Sequence, residues 1–255
     1  MNNINQAILN IAKSKLEEIV KEKELLTNNI SVLVKTLTPE EAIGQPGRRD
    51  FPIIEGKERV IEAEFMGARS HVFTDSPGEF IGNIEEVIRM DLDSNKNRAI
   101  FIGTLNAVLK KLGYIKDTIH CRNEEPEKCA KEIGEHVLEK WGKVRVGLIG
   151  LNPAIAESLV SAFGNENIKV TDRNRKNIGQ NKFGIQIWDG NKDTEKLIKE
   201  SEVIILTGTT IVNGSFDSIF SLIKRFEKEY LIYGVTATGI CNLLGLERIC
   251  FYGRE

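Results

Sequence analysis

The sequence predicts an α/β protein in two parts, a smaller α+β region followed by a mostly parallel sheet with helices on both faces. Three observations carry this. Short apolar runs recur in the second half, at 144–149, 168–170, 185–188, 203–206 and 230–233. Helical patterns fill most of the gaps, notably "PAIAESLVSAFG", "KDTEKLIKES" and "FDSIFSLIKRF". The first half lacks this alternation, with strand patterns followed by a helical one. Strands alternating with helices imply crossover connections and parallel strands buried on both faces.

Taken in order, Ile4, Ile8, Ile11, Leu16 and Ile19 recur at near-helical spacing, which predicts an amphipathic helix over 2–26 with a solvated Lys/Glu face. "NISVLVKTLT" reads as a strand. In "ERVIEAEFM", Ile61, Ala63 and Phe65 alternate with Glu62 and Glu64, the period of a half-exposed strand in an antiparallel sheet. A turn-rich connection with "GQPGRRDFP" separates the two. From residue 95, Ile102, Leu105, Leu109 and Leu112 share a helical face. Ser94 or Asn95 is placed to cap its start, and Gly113 suits the position after its end. "DTIHCRNEEPEKC", polar and punctuated by Pro126, reads as the connection between domains of 1–118 and 119–255. The rhythm beyond it is Rossmann-like.

Composition narrows the function. The 35 basic and 37 acidic side chains nearly cancel, so no global field favours nucleic acid or an anionic membrane. In the first 26 residues polar side chains precede the first apolar ones and charges recur from Lys13 onward, which suits neither a signal peptide nor a membrane span and leads us to expect a cytoplasmic protein. Cys121, Cys129, Cys241 and Cys250 are too few for a disulfide scaffold, and Cys241 and Cys250 read as small buried hydrophobes. Whether the chain forms a homo-oligomer is left open.

In an open parallel sheet, ligands bind beyond the carboxyl ends of the strands, where connections diverge to opposite faces. In "GLIGLNPAIAESL", Gly150 ends the strand, Asn152 is placed to cap, and Pro153 fits the first helical position. This is not the dinucleotide fingerprint, because Asn152 and Ile155 put side chains where glycines should let backbone meet pyrophosphate, so NAD is disfavoured. Asp172, 22 residues on (172 − 150), suits either a ribose diol or a loop cap. "TGTTIVNGSFD" brings Thr207, Gly208, Thr209, Thr210 and Asn213 to the fourth strand end, with Ser215 expected to cap the next helix. "GVTATG" repeats the chemistry with Gly234 and Thr236. Hydroxyls and amides recognise a polar or anionic ligand without the cost of burying an ion; equally, they cap helices and satisfy loop carbonyls. Walker, H-E-x-x-H, G-x-S-x-G and paired C-x-x-C patterns are missing from the sequence.

His120, Cys121 and Cys129 are types that ligate zinc, copper or iron, and three of them would leave a coordination position open for a transition-metal ion. A hinge histidine and a thiol at a helix start are the alternative. His71 and His136 show no partner in the sequence, and His136 suits a helix surface.

Taken in order, "GKERVIEAEFMGARSHVFTDSPGEFIGNIEEV", "NRAIFIGTLNAVL", "VGLIGLNPAIAESL" and "TGTTIVNGSFDSI" resemble the domain-of-unknown-function family labelled heavy-metal chelation proteins. The resemblance is most specific in T-G-T-T-hydrophobic-x-N-G-[ST] and in an R-A-x6-N-A helix, here Arg98, Ala99, Asn106 and Ala107. It implies an enolase N-terminal-like domain, a Rossmann-like domain and a site between them, drawing on Thr207, Gly208, Thr209, Thr210 and Asn213 opposite the Gly150–Asn152 turn. Family members often carry G-P-S-x after the fifth strand, where this chain has Gly234-Val235-Thr236-Ala237. The leading reading is binding of a small polar or anionic ligand, a heavy-metal ion or a metal chelate, in that cleft. The alternative is an enzyme, a transferase with a nucleotide or adenosyl-type cofactor, with Asp75 or Glu79 facing the threonines; a scaffold binding another protein is a third. No nucleophile–base pair is legible, so whether catalysis occurs stays open.

Overall fold

The computed structural model describes residues 7–26 and 31–255; the expected helix start at 2–6 and the first residues, 29–30, of the expected first strand lie outside them. Helix α1 (Ala7–Glu22) buries Ile8, Leu9, Ala12, Leu16 and Val20 along one face. Strand β1 (Ser31–Leu37) leads into α2 (Pro39–Ile43), held by a capping box between Thr38 and Glu41. After α3 (Pro52–Glu55) come β2 (Arg59–Phe65) and β3 (Ala68–Thr74). Met66 and Gly67 join the last two, both at positive φ, as a two-residue hairpin turn requires. Strand β4 (Phe80–Asn83), α4 (Ile84–Arg89) and α5 (Asn95–Lys111) complete this part. Its sheet runs β3-β2-β1-β4 and is antiparallel at every pairing.

Two expectations change here. Glu62 is buried rather than solvated, because His71 pairs with it across β2–β3 and Lys35 reaches it from β1. Helix α5 is buried on every side from Arg98 to Leu109, not along one stripe, because it lies between this sheet and helices of the second part. Its Ser94 cap, accepting from the Asn97 amide, is as expected.

The second part opens with α6 (Glu125–Trp141). The expected polar connection therefore ends at Glu124, and Pro126, which reads as punctuation, lies in the first helical turn, where its missing N–H costs nothing. There follow β5 (Val146–Ile149), α7 (Pro153–Phe163), β6 (Ile168–Asp172), β7 (Asn181–Lys182), β8 (Ile185–Asp189), α8 (Thr194–Glu200) and β9 (Val203–Thr207). The chain ends through α9 (Thr209–Val212), α10 (Phe216–Arg225), β10 (Glu229–Tyr233), α11 (Thr238–Leu244) and β11 (Arg248–Ile249). The sheet order is β11-β10-β9-β5-β6-β8-β7, parallel except for β7. The mixed α/β fold with one mostly parallel sheet is thus as the sequence predicts.

From β5 the chain reaches β6 through α7 on one face, and from β8 it returns over the other face through α8 to β9. Neighbours β5 and β9 therefore mark the point where connections diverge. Alternation along β9 shows the two faces: Ile204 and Leu206 pack with α8 and α10, Val203 and Ile205 with α6 and α7. Both faces continue into the first part. The α8/α10 face joins α5 and Phe65; the α6/α7 face joins Ile43 and Phe51. Among the described residues, no helix is long and apolar enough to cross a membrane.

Candidate functional site

Two polar residues of α5 hold the loops at the carboxyl edge of the parallel sheet. Arg98 donates through Nε to the Val212 carbonyl (2.6 Å) and through a terminal nitrogen to the Leu92 carbonyl (2.7 Å), fixing the end of α9. Two turns on, Asn106 accepts from the Gly239 amide (2.8 Å) and donates to the Thr236 carbonyl (3.1 Å), fixing the start of α11. The Arg–Asn spacing of the α5 motif thus ties one helix to two separate strand-end loops. Strand β3 contributes as well, since the Phe73 amide donates to Thr236 Oγ1 (3.1 Å).

The loops meet closely. Gly150 adopts φ +90°, and a Cβ there would lie 2.7 Å from Thr207 Cγ2, so both its conformation and the approach of the β9 turn exclude a side chain. At Gly208, whose φ is ordinary, a Cβ would meet the Ala237 Cβ at 2.9 Å and its amide at 3.0 Å. Much of the threonine chemistry closes the turn on itself. Thr210 donates to the Thr207 carbonyl (2.7 Å), the Thr207 and Thr209 hydroxyls pair at 3.1 Å, and Asn213 accepts from the Ser215 amide and hydroxyl. Ser215 stands at the N-cap of α10 without capping it, contrary to expectation: its backbone is helical rather than extended, and its hydroxyl donates to Asn213. Asn152 does cap α7, accepting from the Ala154 and Ile155 amides.

A cavity of about 1280 Å³ lies over this edge. Gly150, Asn152, Asp172, Thr207, Gly208, Thr209, Thr210, Asn213, Gly234 and Thr236 all line it, and so do His120, Cys121 and Cys129. From the first part come Phe73, Asp75 and Glu58. Glu79 does not line it, and Asp75, exposed, takes a hydrogen bond from Asn95 Nδ2. Asp172 acts as the cap of its own loop, accepting from the amides of Leu151 (3.2 Å) and Asn174 (2.6 Å) and from Asn177 Nδ2 (3.2 Å).

The residues around His120 test the fit of a heavy metal. His71 Nδ1 accepts from the His120 amide (3.3 Å) and His71 Nε2 lies 3.4 Å from Glu62, so the loop is tied to β3. The His120 ring donates from Nδ1 to the Cys121 carbonyl (2.7 Å), and burial brings it down to about 4, leaving neutral imidazole. Burial pushes the Cys129 thiol up to about 11 and moves Cys121 upward as well. The metal ligand is the thiolate, and burial opposes it in both cases. Among the described residues, no group of three or more His, Cys, Asp and Glu side chains is arranged to hold a metal ion. His120, Cys121 and Cys129 share the cavity wall without making a ligand set. They do not fit a bare heavy-metal ion.

Sequence reasoning missed Glu58, Tyr233 and Thr171. Burial and the negative charges of Asp172 and Asp75 push the Glu58 carboxyl up to about 7. Tyr233, at the end of β10, is raised chiefly by burial. Thr171 is 0% exposed and its hydroxyl has no hydrogen-bond partner among the described residues. Glu58 lies in the charged run "GKER" before a strand and carries no local signal; Thr171, beside Asp172 at a strand end, was findable from position alone.

Comparison with known proteins follows the same lines. Residues 132–245 match the family model DUF364, described as "Putative heavy-metal chelation". Of solved structures, the chain is similar to a protein of unknown function from the DUF364 family of Pyrococcus horikoshii. That likeness has 16% identity, a TM-score of 0.50, and covers 90% of this chain and 79% of that one. It is also similar to one from Desulfitobacterium hafniense DCB-2, at 10% identity and TM-score 0.47, covering 73% and 72%. No curated protein matches the chain. The family resemblance is borne out over residues 132–245, which hold the last two motifs; the R-A-x6-N-A helix lies outside the match. The matched segment contains the Gly150, Asp172, Thr207 and Gly234 loops but not His120, Cys121 or Cys129.

Proposed function

We propose that this DUF364-related chain binds a small polar organic molecule, free or as the chelator of a metal, in a cleft between the parts 1–118 and 119–255. The observation that carries the reading is the cavity of about 1280 Å³ over the edge where the β5 and β9 connections diverge. Such a crevice is where open α/β sheets take ligands, and its volume suits an organic molecule better than an ion. Heavy-metal chemistry enters this reading only with the ligand, because the protein's own thiols and imidazole are neutral and ungrouped.

Native mass spectrometry of the gently purified protein, before and after incubation with a small-molecule extract, tests this. A bound organic mass is expected, and a Thr207→Val/Thr209→Val variant should lose most of it. No adduct and no thermal stabilisation by any extract fraction would reject the reading. Metal analysis of the same samples should find metal only where the organic mass is present. A second reading, a transferase using a nucleotide or adenosyl-type cofactor, rests on the place of Asp172 at the end of β6. Its carboxylate is already engaged by Leu151, Asn174 and Asn177. Stabilisation by adenosyl compounds that is lost in Asp172→Ala would put this second reading first.

A further inference from the structure

We propose that the turn after β6, with Lys192 from the turn after β8, is the part of the cleft that receives an anionic group of the guest, a phosphate or a polycarboxylate. The inference rests on the cleft reading above and supplies the charge of one end of the molecule. Arg173, Arg175 and Lys176 fall within four consecutive positions, and all three line the cavity together with Lys192. Asp172 pins that turn, accepting from the Asn174 amide (2.6 Å) and from Asn177 Nδ2 (3.2 Å), while Asn174 Oδ1 accepts from the Lys176 amide (3.1 Å). The Gly190 amide donates to the Asp172 carbonyl (2.8 Å), and a Cβ at Gly190 would lie 3.1 Å from Arg173 Cγ. The turn that carries Lys192 therefore packs directly against the turn that carries the other three cations.

Charges on the cavity wall are segregated. The first part supplies Glu55, Glu58 and Asp75, with Lys57, whereas the β6–β8 end has the four cations with Asp172 and Glu195. Those two carboxylates are already used, Asp172 by its own loop and Glu195 by Lys199 (2.8 Å). Asp189 and Asp193, which do not line the cavity, accept from the amides of Asn191 (2.9 Å) and Asp189 (3.0 Å). The cations are not used in this way. Among the described residues, no ion pair or side-chain hydrogen bond engages the exposed Arg173, Arg175 or Lys176, and Lys192 has only a 3.8 Å approach to Asp189. A concave wall focuses the field of such a rim, and guanidinium forks match the paired oxygens of phosphate and carboxylate. The four heads need not meet at one atom, because their field reaches about 8 Å at physiological ionic strength.

Pyrophosphate and citrate, titrated into the isotope-labelled full chain at about 20 mM salt and followed by amide NMR, test this. The Asn174, Lys176 and Gly190 amides should shift and saturate with at least one of the two, which identifies the anion class, and binding should weaken at about 300 mM salt. An Arg173→Gln/Arg175→Gln/Lys176→Gln variant should bind about tenfold more weakly, since three exposed ionic contacts are lost. Lys224→Gln/Arg225→Gln/Lys228→Gln removes the same charge away from the cavity and should stay within about twofold of the unaltered chain. Should the first variant not fold, Arg175→Gln and Lys176→Gln singly, each weaker than the unaltered chain, replace it. Equal affinities in the two triple variants, or no saturable shift with either anion, would overturn the anion site. Native mass spectrometry of the unaltered chain with small-molecule extract reports the cleft reading separately. An organic adduct with silent anion titrations rejects only the anion site, whereas saturable anion binding without any organic adduct rejects the cleft reading and upholds the anion site.

Discussion

Removing the Asn106 side chain isolates the contribution of one buried amide to the ligand edge. Asn106 is 0% exposed, accepts from the Gly239 amide at 2.8 Å and donates to the Thr236 carbonyl at 3.1 Å. Gly239 belongs to the first turn of α11, whose amides have no intrahelical acceptor, so Asn106 serves as a cap supplied from another helix. Asn106→Ala strands one buried donor and one buried acceptor. At about 1–3 kcal/mol each, the loss is about 2–6 kcal/mol, a large share of a typical domain's stability. Asn106→Leu keeps most of the volume and strands the same two groups, so its loss should be similar and separates hydrogen bonding from packing. Urea unfolding should show the midpoint falling in both variants with an unchanged slope, and Gly239 amide exchange should accelerate more than exchange in β5. A loss below about 1 kcal/mol in both variants would refute the reasoning, since the loop would then be held by something other than this side chain.

Two further outcomes follow. His71, and after it Lys35, holds the Glu62 carboxyl down at about 2 from 4.5. Its stabilisation is fully present above pH 4.5 and lost as pH falls toward 2, so in acid titrations followed by circular dichroism Glu62→Gln should flatten the stability curve in that window and leave its shape above pH 6 unchanged. Burial raises Cys129 to about 11 and also raises Cys121 and Cys241, so at pH 8 these thiols should react with Ellman's reagent far more slowly in the folded protein than in denaturant. Fast labelling of Cys129 in the folded state, located by peptide mapping, would contradict its burial.

The parallel sheet was legible because its strands are short apolar runs and amphipathic helices fill most of the gaps; the β6–β8 connection, which carries β7 in place of a helix, gave no such signal. Asn152 and Gly150 were legible for a local reason: a cap, a proline and a strand-ending glycine occur together. The first half was harder. The two-residue turn at Met66-Gly67 lacks the usual Asn-Gly signal, and Glu62 reads as surface because the histidine that buries it is nine residues away. Likewise, α5 reads as one-sided because its polar residues, Arg98 and Asn106, look solvated until their carbonyl partners arrive from residues 212 and 236. The threonine turn was located correctly, but its hydroxyls are partly consumed in closing the turn. Glu58 enters the site only through tertiary placement.

Both apolar layers of the parallel sheet run without a break into the first part of the chain, through α5 and Phe65 on one side and Ile43 and Phe51 on the other. The two parts are therefore not modules on a tether. Cutting out the family-matched residues 132–245 would uncover Ile211, Val212 and Ile240, all nearly fully buried in the intact chain, and produce a fragment with a sticky flank. Pulling the two parts away from each other would expose apolar surface to water on both sides of the parallel sheet.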